Sequence, residues 1–148
     1  MKRFSKAKQS GFTLVEIAIV LVIIGLLLAG VLKGQELIEN SKIKSIVNDM
    51  KAVQAAYNGY LDRYKAIPGD ETLATAAARG WGASAAGGGG NANGVLLITA
   101  AQTFANGGEQ RPFWRALRAS GLITGDPTGA AGAAGLPKHA GGGVMGVT

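Results

Sequence analysis

An uncharged apolar segment near the N-terminus dominates the pattern of hydrophobic and polar positions. From Ile17 to Leu32, sixteen residues pass without a charge or an amide. Counted from Phe12, the segment is 21 residues long and contains one ionisable side chain, Glu16. At a helical rise of about 1.5 Å per residue it measures about 31 Å, which is enough to cross the hydrocarbon of a bilayer. The pattern predicts a transmembrane helix over residues 12–33.

A second helical pattern follows this segment. Apolar residues recur at spacings of three and four, with polar residues largely between them. These apolar positions are Ile43, Ile46, Val47, Met50, Val53, Tyr57, Tyr60, Leu61 and Tyr64. No proline occurs before Pro68, where Ile67-Pro68-Gly69-Asp70 has the composition of a turn. We therefore predict one helix from about Phe12 to Ala66. Residues 34–66 are its amphipathic half, and the tyrosines pack into a core.

Residues 67–148 are predicted to form a small globular head rich in glycine and alanine. A short helix is expected from Glu71 to Arg79, followed by a loop from Gly82 to Gly94. Val95–Thr99 is either a buried strand or the start of a helix that runs to Phe104, because periodicity does not separate the two. Residues 143–147 are the one stretch of the tail suited to a short strand. The predicted fold class is therefore α+β with at most a rudimentary sheet.

A second amphipathic helix is predicted from Arg111 to Gly121, with a proline at its start and a glycine beyond its end. Phe113, Trp114 and Leu117 form an apolar side that is expected to pack on the long helix. Arg111, Arg115 and Arg118 follow the spacing i, i+4, i+7 and form a basic stripe. A solvated helix face explains such a stripe, and the alternative is a surface for an anionic partner.

The charge of the chain is unevenly distributed. The formal net charge is +6, but four of the fifteen basic residues lie in the first ten positions, a basic leader without acids. Beyond Gly11, eleven basic residues face nine acidic ones, which argues against binding nucleic acid through bulk charge. The leader predicts a cytoplasmic N-terminus and an external head. No cysteine occurs, so disulfides, thiol nucleophiles and cysteine-ligated metals are excluded.

Glu16 is the unusual residue of the apolar segment, since a carboxylate in a membrane span is unfavourable by a few kcal/mol near the bilayer centre. It either lies wetted at the interface or has a cationic partner. Cleavage after Gly11 would give Phe12 a new amine at a similar membrane depth. Two neighbouring chains with a small stagger would then satisfy each other's charges.

The basic leader, Gly11, Phe12-Thr13-Leu14-Val15-Glu16 and the long apolar helix resemble the prepilin signal of type IV pilins and type II secretion pseudopilins. The resemblance implies a leader of residues 1–11 that prepilin peptidase removes after Gly11, and N-methylation of Phe12. It implies assembly with other pilin or pseudopilin subunits through the N-terminal helix, with Glu16 as the assembly carboxylate. The subunit would be a lollipop, anchored in the inner membrane before assembly.

One departure from the family pattern bears on the subunit type. Many type IV pilins have a proline where this chain has Lys33, and its absence favours a minor pilin or a pseudopilin. Whether the helix melts between Gly25 and Gly34 in a filament, or uses these glycines for close helix approach, is left open by the sequence.

No catalytic constellation is present in the sequence, so we expect no enzyme and no cofactor. His139, the one histidine, is expected at the surface. Asn91–Val95 is weakly similar to a calcium loop but lacks the acids that such a loop needs, so no metal is expected. The alternative to a filament subunit is a single-span, membrane-anchored protein that captures an external ligand and does not polymerise.

Overall fold

The computed structural model describes residues 11–81, 89–105, 108–128 and 135–148. Three α-helices lie in these ranges: α1, Leu14–Tyr64; α2, Leu73–Ala78; and α3, Gln110–Ala119. The chain divides into two compact units, residues 1–41 and 42–148.

The first unit contains the apolar start of α1. The helix begins at Leu14, two residues after the predicted start, and stays helical through Gly25, Gly30 and Gly34. It is long and apolar enough to cross a membrane, which confirms the predicted long N-terminal helix. An exposed ion pair joins Lys33 Nζ to Glu36 at 2.7 Å, and exposed pairs of this kind add little stability.

In the second unit, α1 ends at Tyr64, two residues before the predicted end. Lys65 has a φ of 54°, and this left-handed conformation closes the helix. The following turn brings Gly69, with a φ of 93°, against the start of α3. A Cβ on Gly69 would lie 2.7 Å from the backbone nitrogen of Phe113, so the close approach requires glycine.

The core of the second unit lies between α1 and α3. Its buried residues are Ala56, Tyr60, Phe113, Trp114, Leu117 and Leu136. Phe113 stacks on Tyr57 at a centroid distance of 6.3 Å and meets Trp114 edge-on at 5.0 Å. The predicted apolar side of α3 is therefore observed in contact with the amphipathic half of α1, and the tyrosines pack in the core. Helix α3 has Pro112 in its first turn and Gly121 beyond its end, as the sequence predicts.

A largely buried polar network connects the residues on either side of α2 to Tyr60 of α1. The Tyr60 hydroxyl donates to Glu71 Oε2 at 2.6 Å, and Arg79 Nη1 bonds both Glu71 Oε2 and the Tyr60 oxygen. The Arg79 guanidinium also lies 4.4 Å from the ring centre of Tyr64. Burial raises the pKa of Tyr60, and the Glu71 carboxylate raises it further. α2 itself is shorter than the predicted helix from Glu71 to Arg79, because the Thr72 side chain caps its start.

The α+β expectation gains little support from the described ranges. There, β pairing is limited to one isolated antiparallel bridge between Lys138 and Val144, and only Val144 belongs to the stretch predicted as a strand over residues 143–147. Val95–Thr99 is neither strand nor helix, and turns occupy residues 100–105. The predicted loop over Gly82–Gly94 is described only from Gly89, because residues 82–88 lie outside the described ranges.

The apolar positions of α1 from Ile43 to Met50 are less covered than their periodicity suggests, and Ile46 is the half-buried one among them. Ile43, Val47 and Met50 are 55%, 43% and 57% exposed. The remaining chain reaches this part of α1 mainly through the tail, where the Ala140 N–H donates to Asp49 Oδ2 at 2.8 Å. The core proper begins only at Val53, so fewer turns of the helix are covered than the periodicity suggests.

Candidate processing and assembly site

The described residues that precede α1, residues 11–13, are exposed. Gly11, Phe12 and Thr13 precede the helix in a non-helical backbone, and all three are exposed. The Phe12 ring is 85% exposed, and an added Cβ on Gly11 would meet no atom within 4 Å. No other described residue covers the peptide bond between Gly11 and Phe12.

Thr13 and Glu16 form a reciprocal cap at the start of α1. The Thr13 backbone N–H and its hydroxyl both donate to Glu16 Oε2, each at 2.7 Å. In return, the Glu16 backbone N–H donates to Thr13 Oγ1 at 3.3 Å. This is the capping-box arrangement, in which a Thr at the N-cap and a Glu three residues on satisfy otherwise free donors of the first turn. The Thr-x-x-Glu spacing is the sequence signature of this cap, which neither of the two expectations for Glu16, an interfacial position or a cationic partner, included.

The cap leaves half of the Glu16 carboxylate available. Both bonds from Thr13 go to Oε2, and no described residue donates to Oε1. The carboxylate is therefore neither isolated nor saturated, because an ionised carboxylate accepts several hydrogen bonds. Its negative charge also lies at the positive end of the α1 dipole, which is favourable.

Behind the cap, no described residue of the first unit covers the apolar surface of α1. Side chains on all sides of the helix are about half exposed or more, as for Ile17 at 50% and Leu26 at 70%. At about 25 cal/mol per Å², leaving so much apolar surface in water is strongly unfavourable. A helix of this kind requires lipid or the helices of other chains around it.

The arginines of α3 do not form the predicted solvated stripe. Arg115 is only 6% exposed and donates from Nη2 to the Thr128 carbonyl at 2.9 Å. Burial lowers the pKa of Arg115, and the nearby Arg111 charge lowers it further. Arg111 and Arg118 are half-buried. The prediction of a solvated face is wrong at Arg115 because residues 126–128 fold over it.

The loop from Asn91 to Val95 obtains a carboxylate from a distant part of the chain. Asp70 is 4% exposed, and its oxygens accept from the backbone N–H groups of Asn93 at 3.2 Å and Gly94 at 2.7 Å. Backbone donors therefore occupy this carboxylate, and no group of three or more potential ligand residues occurs among the described residues. No sequence pattern links position 70 to position 93, so sequence reasoning missed this contact.

An apolar groove of about 590 Å³ lies in the second unit beside the core. Its walls include Met50 and Tyr57 of α1, Trp114 of α3, and His139 and Met145 of the tail. His139 is half-buried rather than freely exposed, and its Nδ1 accepts from the Gly141 N–H at 3.0 Å. The histidine thus accepts a hydrogen bond within the tail beside the groove. The expectation of a surface residue is met only in part, because His139 is half-buried.

Comparison with known proteins adds a match at one place. Residues 6–32 match the family model described as the prokaryotic N-terminal methylation motif. This motif is the prepilin-type signal of type IV pilins and pseudopilins, and it spans the cap and the apolar start of α1. No curated protein and no solved structure matches the chain.

Proposed function

We propose that this chain, which carries a prepilin-type signal, is a structural subunit of a type IV pilus or a type II secretion pseudopilus. The observation that carries the proposal is the coincidence, within residues 6–32, of Gly11, Phe12, Glu16 and the uncharged helix. Each part has a separate physical task. Together they describe a subunit that is cleaved, is anchored by one helix and then packs with copies of that helix.

Processing is the first step of the proposed function. Prepilin peptidase cleaves the bond between Gly11 and Phe12 and methylates the new amine. The exposure of both residues supports access to this bond. The basic leader stays in the cytoplasm until cleavage, and the head lies on the far side of the inner membrane.

Assembly follows from the apolar helix and the half-occupied carboxylate. In the membrane, lipid covers residues 17–32; in a filament, the same helices of neighbouring subunits cover them. The methylated Phe12 amine remains a cation, and the free Oε1 of a neighbour's Glu16 is its partner in this proposal. An ion pair in an apolar core stabilises the correct stagger, because a shifted neighbour leaves both charges unpaired.

The role within such a machine is proposed to be that of a minor pilin or pseudopilin. The support is Lys33, which stands where many type IV pilins have proline. The chain acts by assembly and not as an enzyme. The proposed partners are prepilin peptidase, other pilin or pseudopilin subunits and the inner membrane.

The experiment is expression of the parent and of Gly11→Val with a prepilin peptidase and a pilus assembly system. The parent should shorten by the leader and appear in sheared filaments, whereas Gly11→Val should stay full length in the membrane. An uncleaved parent, or a cleaved parent that never enters filaments in any assembly system, would refute the proposal.

The second candidate function is a membrane-anchored protein that binds an external ligand and does not polymerise. The groove of about 590 Å³ favours it, since ligand pockets fall in this size range and are mostly apolar. This candidate predicts a chain that remains monomeric in the membrane and whose ligand binding is lost on Tyr57→Ala.

A further inference from the structure

The loop from Asn91 to Val95 contains a chemically reactive dipeptide. Asn93 is followed by Gly94, and both residues are exposed. Gly94 has a φ of 82°, a conformation that favours glycine. The sequence has two other Asn–Gly steps, Asn58–Gly59 and Asn106–Gly107. Of these, Asn58–Gly59 lies inside α1, and residues 106–107 lie outside the described ranges.

An Asn–Gly step can deamidate without an enzyme. The backbone nitrogen of glycine loses its proton to solvent and attacks Cγ of the asparagine side chain. The new C–N bond closes a succinimide, and the side-chain nitrogen leaves as ammonia. Water then opens the ring at one of its two carbonyl carbons, giving aspartate or isoaspartate. The sum is asparagine plus water giving an acid plus ammonia, and no oxidant or cofactor takes part.

The electrophile at Asn93 is prepared for this attack. The Val95 backbone N–H donates to Asn93 Oδ1 at 2.9 Å. A donor on this oxygen polarises the side-chain carbonyl and stabilises the negative charge that develops on it during ring closure. The Val95 N–H thus has the role that a backbone donor has in an oxyanion hole.

The nucleophile is held back by a buried carboxylate. The Gly94 N–H donates to Asp70 Oδ2 at 2.7 Å, and the Asn93 N–H donates to Asp70 Oδ1 at 3.2 Å. Ionising an amide nitrogen beside a negative charge is unfavourable, because like charges repel. Ring closure would also remove a donor from a carboxylate that is 4% exposed, and a buried charge without donors is costly.

Asp70 itself is held firmly in place. The Ala92 N–H donates to the Asp70 backbone oxygen at 2.7 Å. Gly90 lies against the backbone of Asp70 so closely that any Cβ would clash. The carboxylate therefore keeps its position on the two amides of the loop.

We propose that Asn93 is a spontaneous deamidation site that the carboxylate of Asp70 suppresses in the folded head. Loss of the contact between Asp70 and Gly94 starts the reaction. The product cannot restore the loop, because it places a second negative charge beside the amides that serve Asp70. Isoaspartate in addition lengthens the backbone by one carbon. Opening of this loop thus leads to an irreversible covalent change at Asn93. This reaction does not depend on whether the chain forms filaments.

The test compares the purified full-length parent with Asp70→Asn in detergent, during incubation in warm, mildly alkaline buffer. Deamidation raises the mass by about one unit and is located by fragmentation of tryptic peptides. No lysine or arginine lies between residues 80 and 110, so one peptide carries both Asn93 and Asn106. Asn106 is thus an internal reference. Asp70→Asn should accelerate reaction at Asn93 by about tenfold or more relative to Asn106, since a hydrogen bond to a charged group is lost.

Asn91→Ala is the matched control variant. It removes the contact from Asn91 Oδ1 to the Asn93 N–H at 3.0 Å but leaves the contact between Asp70 and Gly94. It should leave the Asn93 rate near that of the parent. Equal acceleration by Asn91→Ala and Asp70→Asn would overturn the assignment to Asp70, because any loosening of the loop would then suffice.

A measurement on the unaltered chain covers the case in which Asp70→Asn fails to fold. The parent in urea should react at Asn93 about tenfold or more faster than the folded parent under the same buffer conditions. Equal rates at Asn93 in the folded and unfolded parent would overturn the proposal. A folded Asp70→Asn variant that reacts at the parental rate would do the same.

Discussion

Thr13 and Glu16 cap the first turn of α1 reciprocally, with the hydroxyl and backbone amide of Thr13 on one carboxylate oxygen of Glu16. This relationship gives Glu16 a task inside a single chain, in addition to the proposed task between chains. The two tasks use different atoms. The cap uses Oε2, and Oε1 has no donor among the described residues, so they are separable by substitution.

Glu16→Gln should separate the two tasks. Glutamine preserves a capping box, since the N3 position accepts Glu or Gln, but it removes the charge. We expect normal membrane insertion and cleavage, with filament yield reduced by about tenfold or more, because each subunit would bury an unpaired amine. Membrane level, cleavage and sheared filaments are measured separately.

Thr13→Val is the matched control for that change. It removes the hydroxyl of the cap and leaves the carboxylate free to pair, at a cost of about 1 kcal/mol in helix stability. Filaments should persist. If Thr13→Val abolished filaments and Glu16→Gln kept them, the cap and not the charge would govern assembly.

Val53→Asp should unfold the second unit, because Val53 packs against the buried core and a carboxylate there has no partner. We expect a loss of about 3 kcal/mol in the free energy of unfolding, measured in detergent by tryptophan fluorescence. Met50→Asp, three residues earlier at a position 57% exposed, should cost less than about 1 kcal/mol. Equal losses from the two changes would show that the boundary of the core is misplaced.

Tyr60→Phe should change the alkaline side of the stability profile. The pKa of Tyr60 is raised from 10.0 in the folded state by burial and by the Glu71 carboxylate. Stability from this group is therefore fully present below about pH 10 and is lost as the pH rises and the unfolded tyrosine ionises. Tyr60→Phe should cost about 1 kcal/mol at neutral pH and should make the alkaline decline shallower.

Tyr57→Phe is the control for Tyr60, because Tyr57 stacks on Phe113 and has no hydrogen bond among the described residues. It should change the free energy of unfolding at neutral pH by less than about 1 kcal/mol in the same denaturant titrations. An unchanged slope in Tyr60→Phe would mean that the Tyr60 hydroxyl is solvated in the folded protein.

Arg115→Met should destabilise the second unit more than Arg111→Met. Arg115 is buried and donates to the Thr128 carbonyl, and removing a charged donor from such a site costs about 2 kcal/mol. Arg111 has no hydrogen bond or ion pair among the described residues, so its loss should cost less than about 1 kcal/mol. Thermal unfolding of both variants decides the order, and the reverse order would restore the solvated-face interpretation of Arg115.

The parts of the fold that follow from local pattern could be predicted from the sequence. Sixteen uncharged residues after Glu16 leave little choice but a long apolar helix, and the proline and glycine around α3 mark its ends. The apolar face of α3 predicts that Phe113 and Trp114 pack on α1. The Thr13–Glu16 cap has an equally local signature.

The parts that depend on distant contacts could not be predicted. The Asp70 carboxylate accepts hydrogen bonds from amides 23 and 24 residues further along the chain. The sequence around Asp70 and the sequence around Asn93 contain no pattern that predicts this contact. Arg115 has the spacing of an exposed stripe, but a carbonyl 13 residues away covers it. Ile43, Val47 and Met50 have the periodicity of a buried face and are exposed, because the periodicity of a helix does not determine how much of the chain packs over it.

The mature N-terminus is the most direct test of the central claim that this chain is a processed filament subunit. Protein recovered from cells with a prepilin peptidase is analysed by intact mass and by sequencing of its N-terminal peptide. The expected chain begins at Phe12 with a methylated amine and lacks residues 1–11. Functional chains that begin at Met1, with the bond between Gly11 and Phe12 intact, would contradict it.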